Sequence, residues 1–235
     1  AGAWPVVNST GDLALEMNVP TLPQHPFETG SQRNEFDTPY ACTNALAEMK
    51  ETGLGPEWSW IRNPEPSRYV LLNGSLRIYG SPADLNETVC SPAFVGVRQK
   101  DVDFLTETCV SLGNARGGDK AGLTVFMDSG AHYDIYATAD GKVGILYAMG
   151  VHNHREEFKV GKGRRIWLRV TGEADYYRLW YSTDGKEFKQ AGVNHTRYIS
   201  SETVGGFTGV MVGLWMQSPS GKGFADFKYF EYIPD

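Results

Sequence analysis

Four turn dipeptides, Asn73-Gly74, Asp140-Gly141, Asp184-Gly185 and Ser220-Gly221, constrain this chain more than any other feature. Each lies between runs in which apolar and polar residues alternate. A glycine after Asn, Asp or Ser accepts the positive φ that a tight hairpin turn demands. Alternation with a period of two places successive side chains on opposite faces of a strand. From Trp58 onward the pattern predicts strands near 69–72, 75–79, 94–98, 102–110, 121–126, 132–137, 143–148, 165–170, 176–182, 188–191, 208–217 and 224–232. Antiparallel strands at hairpin spacing in this number predict an all-β fold, a two-sheet antiparallel β-sandwich. The 235 residues suffice for one such domain with its own core.

The first 57 residues read differently. They hold Pro5, Pro20, Pro23, Pro26, Pro39 and Pro56, half of the 12 prolines. Residues 1–33 are expected to be an extended segment, with 19–26 in polyproline geometry. Residues 34–57 are expected to hold a first strand and a short helical insertion, with 43–52 as the helix and Gly53 and Gly55 as its stop. Residues 58–235 form the expected sandwich.

Charge and composition exclude several classes. The formal net charge is −6, which argues against nucleic acid held by a basic surface. No run of about 18 apolar residues is present, so no transmembrane helix is expected. Four sequons, at Asn8, Asn73, Asn86 and Asn194, point to a secreted glycoprotein. The chain begins at Ala1 without a signal peptide, as a mature or excised product would. Of the three cysteines, Cys90 and Cys109 flank an expected hairpin of 94–98 and 101–110, turned at Gln99-Lys100. That register sets Cys90 opposite Cys109 and makes a cross-strand disulfide the expected pairing, with Cys42 left over.

A search for catalytic chemistry finds little. A glycosidase needs two carboxylates across a cleft. Asp101 and Asp103 share a strand face but sit beside a turn, and Asp226 and Glu231 are five apart and so face opposite ways on a regular strand. His152-x-His154 has metal-compatible spacing but no third ligand, so a solvated loop is expected there and no metal. No cofactor is expected, a structural calcium being the one left open. No nucleophile-elbow, phosphate-loop or CxxC motif occurs.

The aromatics carry more. Trp 6, Tyr 12 and Phe 11 are many for this length. Sugar rings stack an apolar face on Trp or Tyr and take hydrogen bonds from Arg, Gln or Asp. In 166–170 the aliphatic residues alternate inward, which turns Trp167 and Arg169 outward. In 176–181 the same argument turns Tyr176, Arg178 and Trp180 outward, and a hairpin through Gly172-Glu173 makes the two sets neighbours. In 210–217, Val210, Val212, Leu214 and Met216 face in, leaving Trp215 and Gln217 outward. His132, Asp134 and Tyr136 face outward when Tyr133 and Ile135 face in. Trp58 and Trp60 are expected in the core.

The series Trp58-Ser-Trp60-Ile-Arg62-Asn-Pro64, Phe94-Val-Gly-Val-Arg98-Gln99, Ala121-Gly122-Leu123, Tyr133-Asp-Ile-Tyr136, Trp167-Leu-Arg169, Tyr181-Ser182-Thr-Asp184-Gly185, Gly206-Phe207-Thr208-Gly209 and Phe224-Ala-Asp226-Phe227 resembles, in order, the C-terminal concanavalin-A-like sandwich of glycoside hydrolase family 43 β-xylosidases and α-L-arabinofuranosidases. Ala3-Trp4-Pro5-Val6-Val7-Asn8 resembles the segment that closes their catalytic domain, and 39–53 looks like an insertion. The resemblance implies that the catalytic carboxylates lie on a propeller preceding the sandwich, which a chain this short does not hold. No catalytic residue carries over. It also implies that a sandwich loop brings an aromatic to the mouth of the catalytic pocket, for which Phe207 is the match.

Three readings follow. The leading one is an accessory domain of xylan degradation that binds xylan or xylo-oligosaccharide through Trp167, Arg169, Tyr176, Arg178, Trp180, Trp215 and Gln217. The second is a structural domain that packs on the propeller and shapes its pocket. The third is a stand-alone sandwich hydrolase or lyase.

Overall fold

The computed structural model describes residues 32–34, 36, 54, 55, 57–162 and 165–234. Its strands are β1 (Gln32–Asn34), β2 (Tyr69–Leu71), β3 (Leu76–Tyr79), β4 (Ala93–Arg98), β5 (Phe104–Gly113), β6 (Lys120–Asp128) and β7 (Ala131–Thr138). The remainder are β8 (Lys142–Met149), β9 (His152–Lys159), β10 (Ile166–Gly172), β11 (Tyr176–Ser182), β12 (Lys189–His195), β13 (Met211–Gln217) and β14 (Phe224–Pro234). One short helix, α1 (Ser201–Val204), precedes β13.

The strands form two sheets. Sheet A runs β12-β11-β10-β5-β14-β3-β2, with β1 beside β14, and sheet B runs β4-β13-β6-β7-β8-β9. All the strand ladders are antiparallel. The predicted two-sheet sandwich is therefore the fold. The four turn glycines all carry positive φ, from 65° at Gly74 to 84° at Gly141. Gly74, Gly141 and Gly185 close hairpins as expected, whereas Gly221 lies where the chain crosses from β13 in sheet B to β14 in sheet A, so no hairpin forms there.

The inward residues make one core between the sheets. Leu168, Val170 and Leu179 of sheet A meet Leu123, Tyr133, Ile135 and Leu214 of sheet B, all fully buried. Each such side chain contributes about 1.5–3 kcal/mol on burial. Trp58 joins this core, its ring centroid 5.1 Å from that of Phe230, and Trp60 packs at its edge against Tyr69.

Four expectations are corrected. First, β4 and β5 do not form a hairpin. β4 pairs with β13 in sheet B, and β5 pairs with β10 and β14 in sheet A. The Gln99-Lys100 connection crosses between sheets, a path that local alternation does not distinguish from a turn. Second, and as a result, Cys90 and Cys109 form no disulfide: Cys90 is exposed, Cys109 is buried, and both are free. Third, residues 152–159 are a strand, paired in full register with β8, where a solvated loop was expected. This sheet edge buries neither face, so it shows no alternation. Fourth, a bulge in β14 between Phe227 and Phe230 shifts its register. Asp226 lies opposite Ser111 and Glu231 opposite Glu107, so the two carboxylates share one face. The predicted helix at 43–52, Cys42 and Asn8 lie outside the described residues.

Candidate functional site

Trp215, Gln217, His132, Asp134 and Tyr136, expected to face outward on a sheet that the sequence did not specify, lie on β13 and β7 of sheet B, apart from Trp167 and Trp180. The side chains do point outward, yet a segment crossing the face covers them. Ser218 N–H donates to the Ser81 carbonyl, Gln217 Nε2 to the Pro82 carbonyl and Asn86 Nδ2 to the Ser129 carbonyl. These bonds lay residues 81–86 over the sheet, and Leu85 seals a second apolar cluster with Phe94, Phe126, Tyr136, Leu146, Met211 and Trp215. Trp215 is only 2% exposed, and its ring meets Tyr136 edge-on at 5.8 Å. It is a core residue, not a stacking platform, and Gln217 is occupied by the covering segment. Beneath the cover, His132 Nδ1 lies 2.8 Å from Asp134 Oδ1. His132 has no room to act on solvent.

The outer face of sheet A carries the other five expected sugar-binding residues. The β10–β11 hairpin forms as predicted, with Arg169 opposite Trp180 and Thr171 opposite Arg178. The five do not make one platform, however. Trp167 is backed by the turn after β11: a methyl group added at Gly185 would lie 2.7 Å from its Cε2 atom. Arg169 is sandwiched, with its guanidinium 3.5 Å from the centre of the Phe188 ring. Its Nε and Nη2 donate to Glu107 Oε2 at 2.9 and 2.6 Å. Tyr176 packs on His195, ring centres 4.5 Å apart. Arg178 Nε donates to Glu173 Oε1 at 2.9 Å, and this bond holds the Glu173 carboxyl below its ordinary pKa.

Of the five, Trp180 and Arg178 border an open groove on this face. It has a volume of about 590 Å³, and Asp103, Leu105, Glu173 and Gln190 also line it. The Trp180 indole N–H donates to Thr171 Oγ1 at 3.1 Å, diagonally across the hairpin. The polar edge of the ring is thereby occupied inside the sheet.

A carboxylate pair that the strand pattern did not reveal lies on the same face. Glu107 of β5 stands directly opposite Glu231 of β14. Opposed residues of neighbouring strands have Cβ atoms about 5 Å apart, near the carboxyl spacing of a retaining glycosidase. Both acids are engaged, however. Glu107 accepts from Arg169 and from the Tyr229 hydroxyl, and Glu231 lies 3.7 Å from Arg33 Nη1. Neither borders the Trp180 groove. Asp226 is bound by Arg77 at 2.7 Å. It sits four residues along β5 from Glu107, about 13 Å away at strand rise, too far for either glycosidase geometry. Among the described residues no cluster of three or more His, Cys, Asp or Glu could hold a metal ion.

The fourth feature is Phe207. It is fully exposed, at 106% relative accessibility, between Gly205, Gly206 and Gly209, which have φ of 82°, 81° and 69°. These are left-handed conformations suited to glycine. The loop leaves α1 directly. Val204 at the end of α1 also lines a groove of about 800 Å³ at one end of the sandwich, with Ala131, Met149, His152, Asn194 and Tyr198. Val151, 90% exposed, projects from the β8–β9 turn between Gly150 and His152, which line that groove. Of the described sequons, Asn73 is exposed at its turn, whereas Asn194 Nδ2 is turned to the Met149 sulfur and Asn86 Nδ2 to Ser129.

These features define a concanavalin-A-like antiparallel sandwich with ion-paired outer carboxylates and one loop-borne aromatic. Comparison with known families gives the particular one: the chain belongs to the family of β-xylosidase C-terminal concanavalin A-like domains, whose model matches residues 48–233. A non-reducing end α-L-arabinofuranosidase of Bacteroides ovatus is 32% identical over 99% of this chain, which spans 42% of that protein. A protein of Escherichia coli K12 described as a β-xylosidase is 28% identical, with 98% of this chain and 44% of the relative covered. The crystal structure of a xylan β-1,4-xylosidase from Bacillus halodurans C-125 superposes with a TM-score of 0.79 at 26% identity, covering 93% of this chain and 42% of that one. The chain thus spans less than half the length of each of these three relatives.

Proposed function

We propose that this chain is the non-catalytic accessory sandwich of a family 43 glycosidase acting on xylan-type substrates, and that it completes the enzyme's pocket by presenting Phe207. The observation that carries this is the exposure of Phe207. A fully exposed phenylalanine on a glycine-framed loop leaves its whole ring available to be buried against another surface. Val204, three residues before Phe207, lines the apolar groove behind α1. A catalytic propeller is the partner that the family and the coverage of the relatives support. The engaged carboxylates of sheet A support a non-catalytic role. The same reading puts the protein outside the cell, where xylan is met, with Asn73 the sequon open to a glycan.

The test is hydrolysis of 4-nitrophenyl β-D-xyloside and α-L-arabinofuranoside by the sandwich expressed behind a family 43 propeller. Phe207→Ala is expected to lower kcat/KM about tenfold or more, the weight of one well-placed contact of about 1.4 kcal/mol. The Tm of the sandwich expressed alone should not move, since the ring is fully exposed there. Unchanged kcat/KM sinks the reading. A second reading, direct sugar binding by the sandwich, is favoured by the Trp180 groove alone and not by the wider set of aromatics.

A further inference from the structure

We infer that the Trp180 groove is a binding site for a neutral oligosaccharide, separate from the surface that carries Phe207. This rests on the second reading above and narrows it from seven residues to one groove. Its floor lies over the β10–β11 hairpin and β5, on the outer face of sheet A. The volume of about 590 Å³ falls within the ~300–1,000 Å³ of small-ligand sites and has room for about two or three pyranose rings.

The ligand class follows from what each wall leaves available. Trp180 has its N–H bound to Thr171, so the groove meets only its ring surface, which suits the apolar face of a sugar. Arg178 and Glu173 are bound to one another, which makes that wall close to neutral and fixed in place. Gln190 and Asp103 are exposed, and among the described residues neither side chain makes a hydrogen bond or ion pair. Gln190 stands directly opposite Trp180 in the β11–β12 ladder, so its amide lies at the ring's edge. A ring surface flanked by a free amide and a free carboxylate matches a polyhydroxylated ring: stacking on one face, hydroxyls donating to Asp103 and bridging Gln190. Two carboxylates at the groove and a net charge of −6 disfavour an acidic polysaccharide. The other outward aromatics contribute nothing here, because Trp167 and Tyr176 are backed by Gly185 and His195.

Isothermal titration of the 235-residue chain with xylohexaose tests the inference, with polygalacturonate as the acidic control. The wild-type chain should bind xylohexaose and not polygalacturonate. Trp180→Ala should weaken binding at least tenfold, and Trp167→Ala and Phe207→Ala should leave it within twofold. Because Trp180 is half-buried, the exposed pair Asp103→Ala with Gln190→Ala serves as a second variant and should also weaken binding, about fivefold or more. Binding that survives both variants overturns the groove while leaving sugar binding by the sandwich standing. No heat from the folded wild-type chain overturns both, and tight binding of polygalacturonate overturns the ligand class.

Discussion

Glu107 should be the most sensitive polar residue of the outer face of sheet A. It is 8% exposed and joins three strands: its own β5, β10 through Arg169 and β14 through Tyr229. Glu107→Gln keeps the shape and removes the charge. Hydrogen bonds to charged groups contribute about 1.5–3 kcal/mol net, and removing one partner of a buried pair costs about 3–5 kcal/mol. The cost here falls below that second range. The Arg169 side chain is 28% exposed and stacked on Phe188, so its guanidinium can recruit water once Glu107 is gone. We expect a loss of about 2–3 kcal/mol. For a chain of this size that is a fall in Tm of about 4–12 °C, read by near-UV circular dichroism at pH 7. A double-mutant cycle with Arg169→Met should give a coupling energy of about 1.5–3 kcal/mol. A Tm within about 1 °C of wild type, or additive single effects, would show that the network is ornamental and refute the argument.

Two further outcomes are expected. Burial pushes the Cys109 thiol up to about 11, whereas Cys90 is exposed; iodoacetamide at pH 8 should therefore label Cys90 and spare Cys109 in the folded chain, as peptide mass spectrometry would show, and rapid labelling of Cys109 or a bridged peptide would contradict the free, buried thiol. Burial also pushes the phenols of Tyr136, Tyr147 and Tyr177 up to about 12. A raised folded-state pKa adds stability that is complete below the unfolded value of about 10 and fades as pH climbs toward the folded value. Tm should hold steady to about pH 9.5 and then fall between about pH 10 and 12, each phenol adding up to about 1.4 kcal/mol per pH unit. A flat profile through pH 11.5 would contradict this, and Tyr177→Phe should flatten the fall in part.

The sequence alone determined the strands that bury one face. Alternation in 166–170 and 176–182 located β10 and β11, and Gly74, Gly141 and Gly185 located the turns that follow β2, β7 and β11, because both signals are local: a pleat period and a φ that side chains resist. It also picked out Phe207, since glycines around an aromatic are visible in one dimension. β9 escaped notice because a sheet edge with both faces in water has no pattern to read. The pairing of β4 and β5 escaped for a different reason, since two strands joined by Gln99-Lys100 read the same whether they pair or part into separate sheets. Alternation likewise settles which way a side chain points, not what lies above it. Trp215 points outward and is buried, because residues 81–86, distant in the chain, cross over it and bond to Gln217, Ser218 and Ser129. Trp180 points outward and borders a groove. The Glu107–Glu231 pair exists because a bulge in β14 changes the parity of the strand. Cover, cross-sheet pairing and register are set by contacts between residues far apart in the chain, so only the tertiary structure decided which aromatics remain available to a ligand.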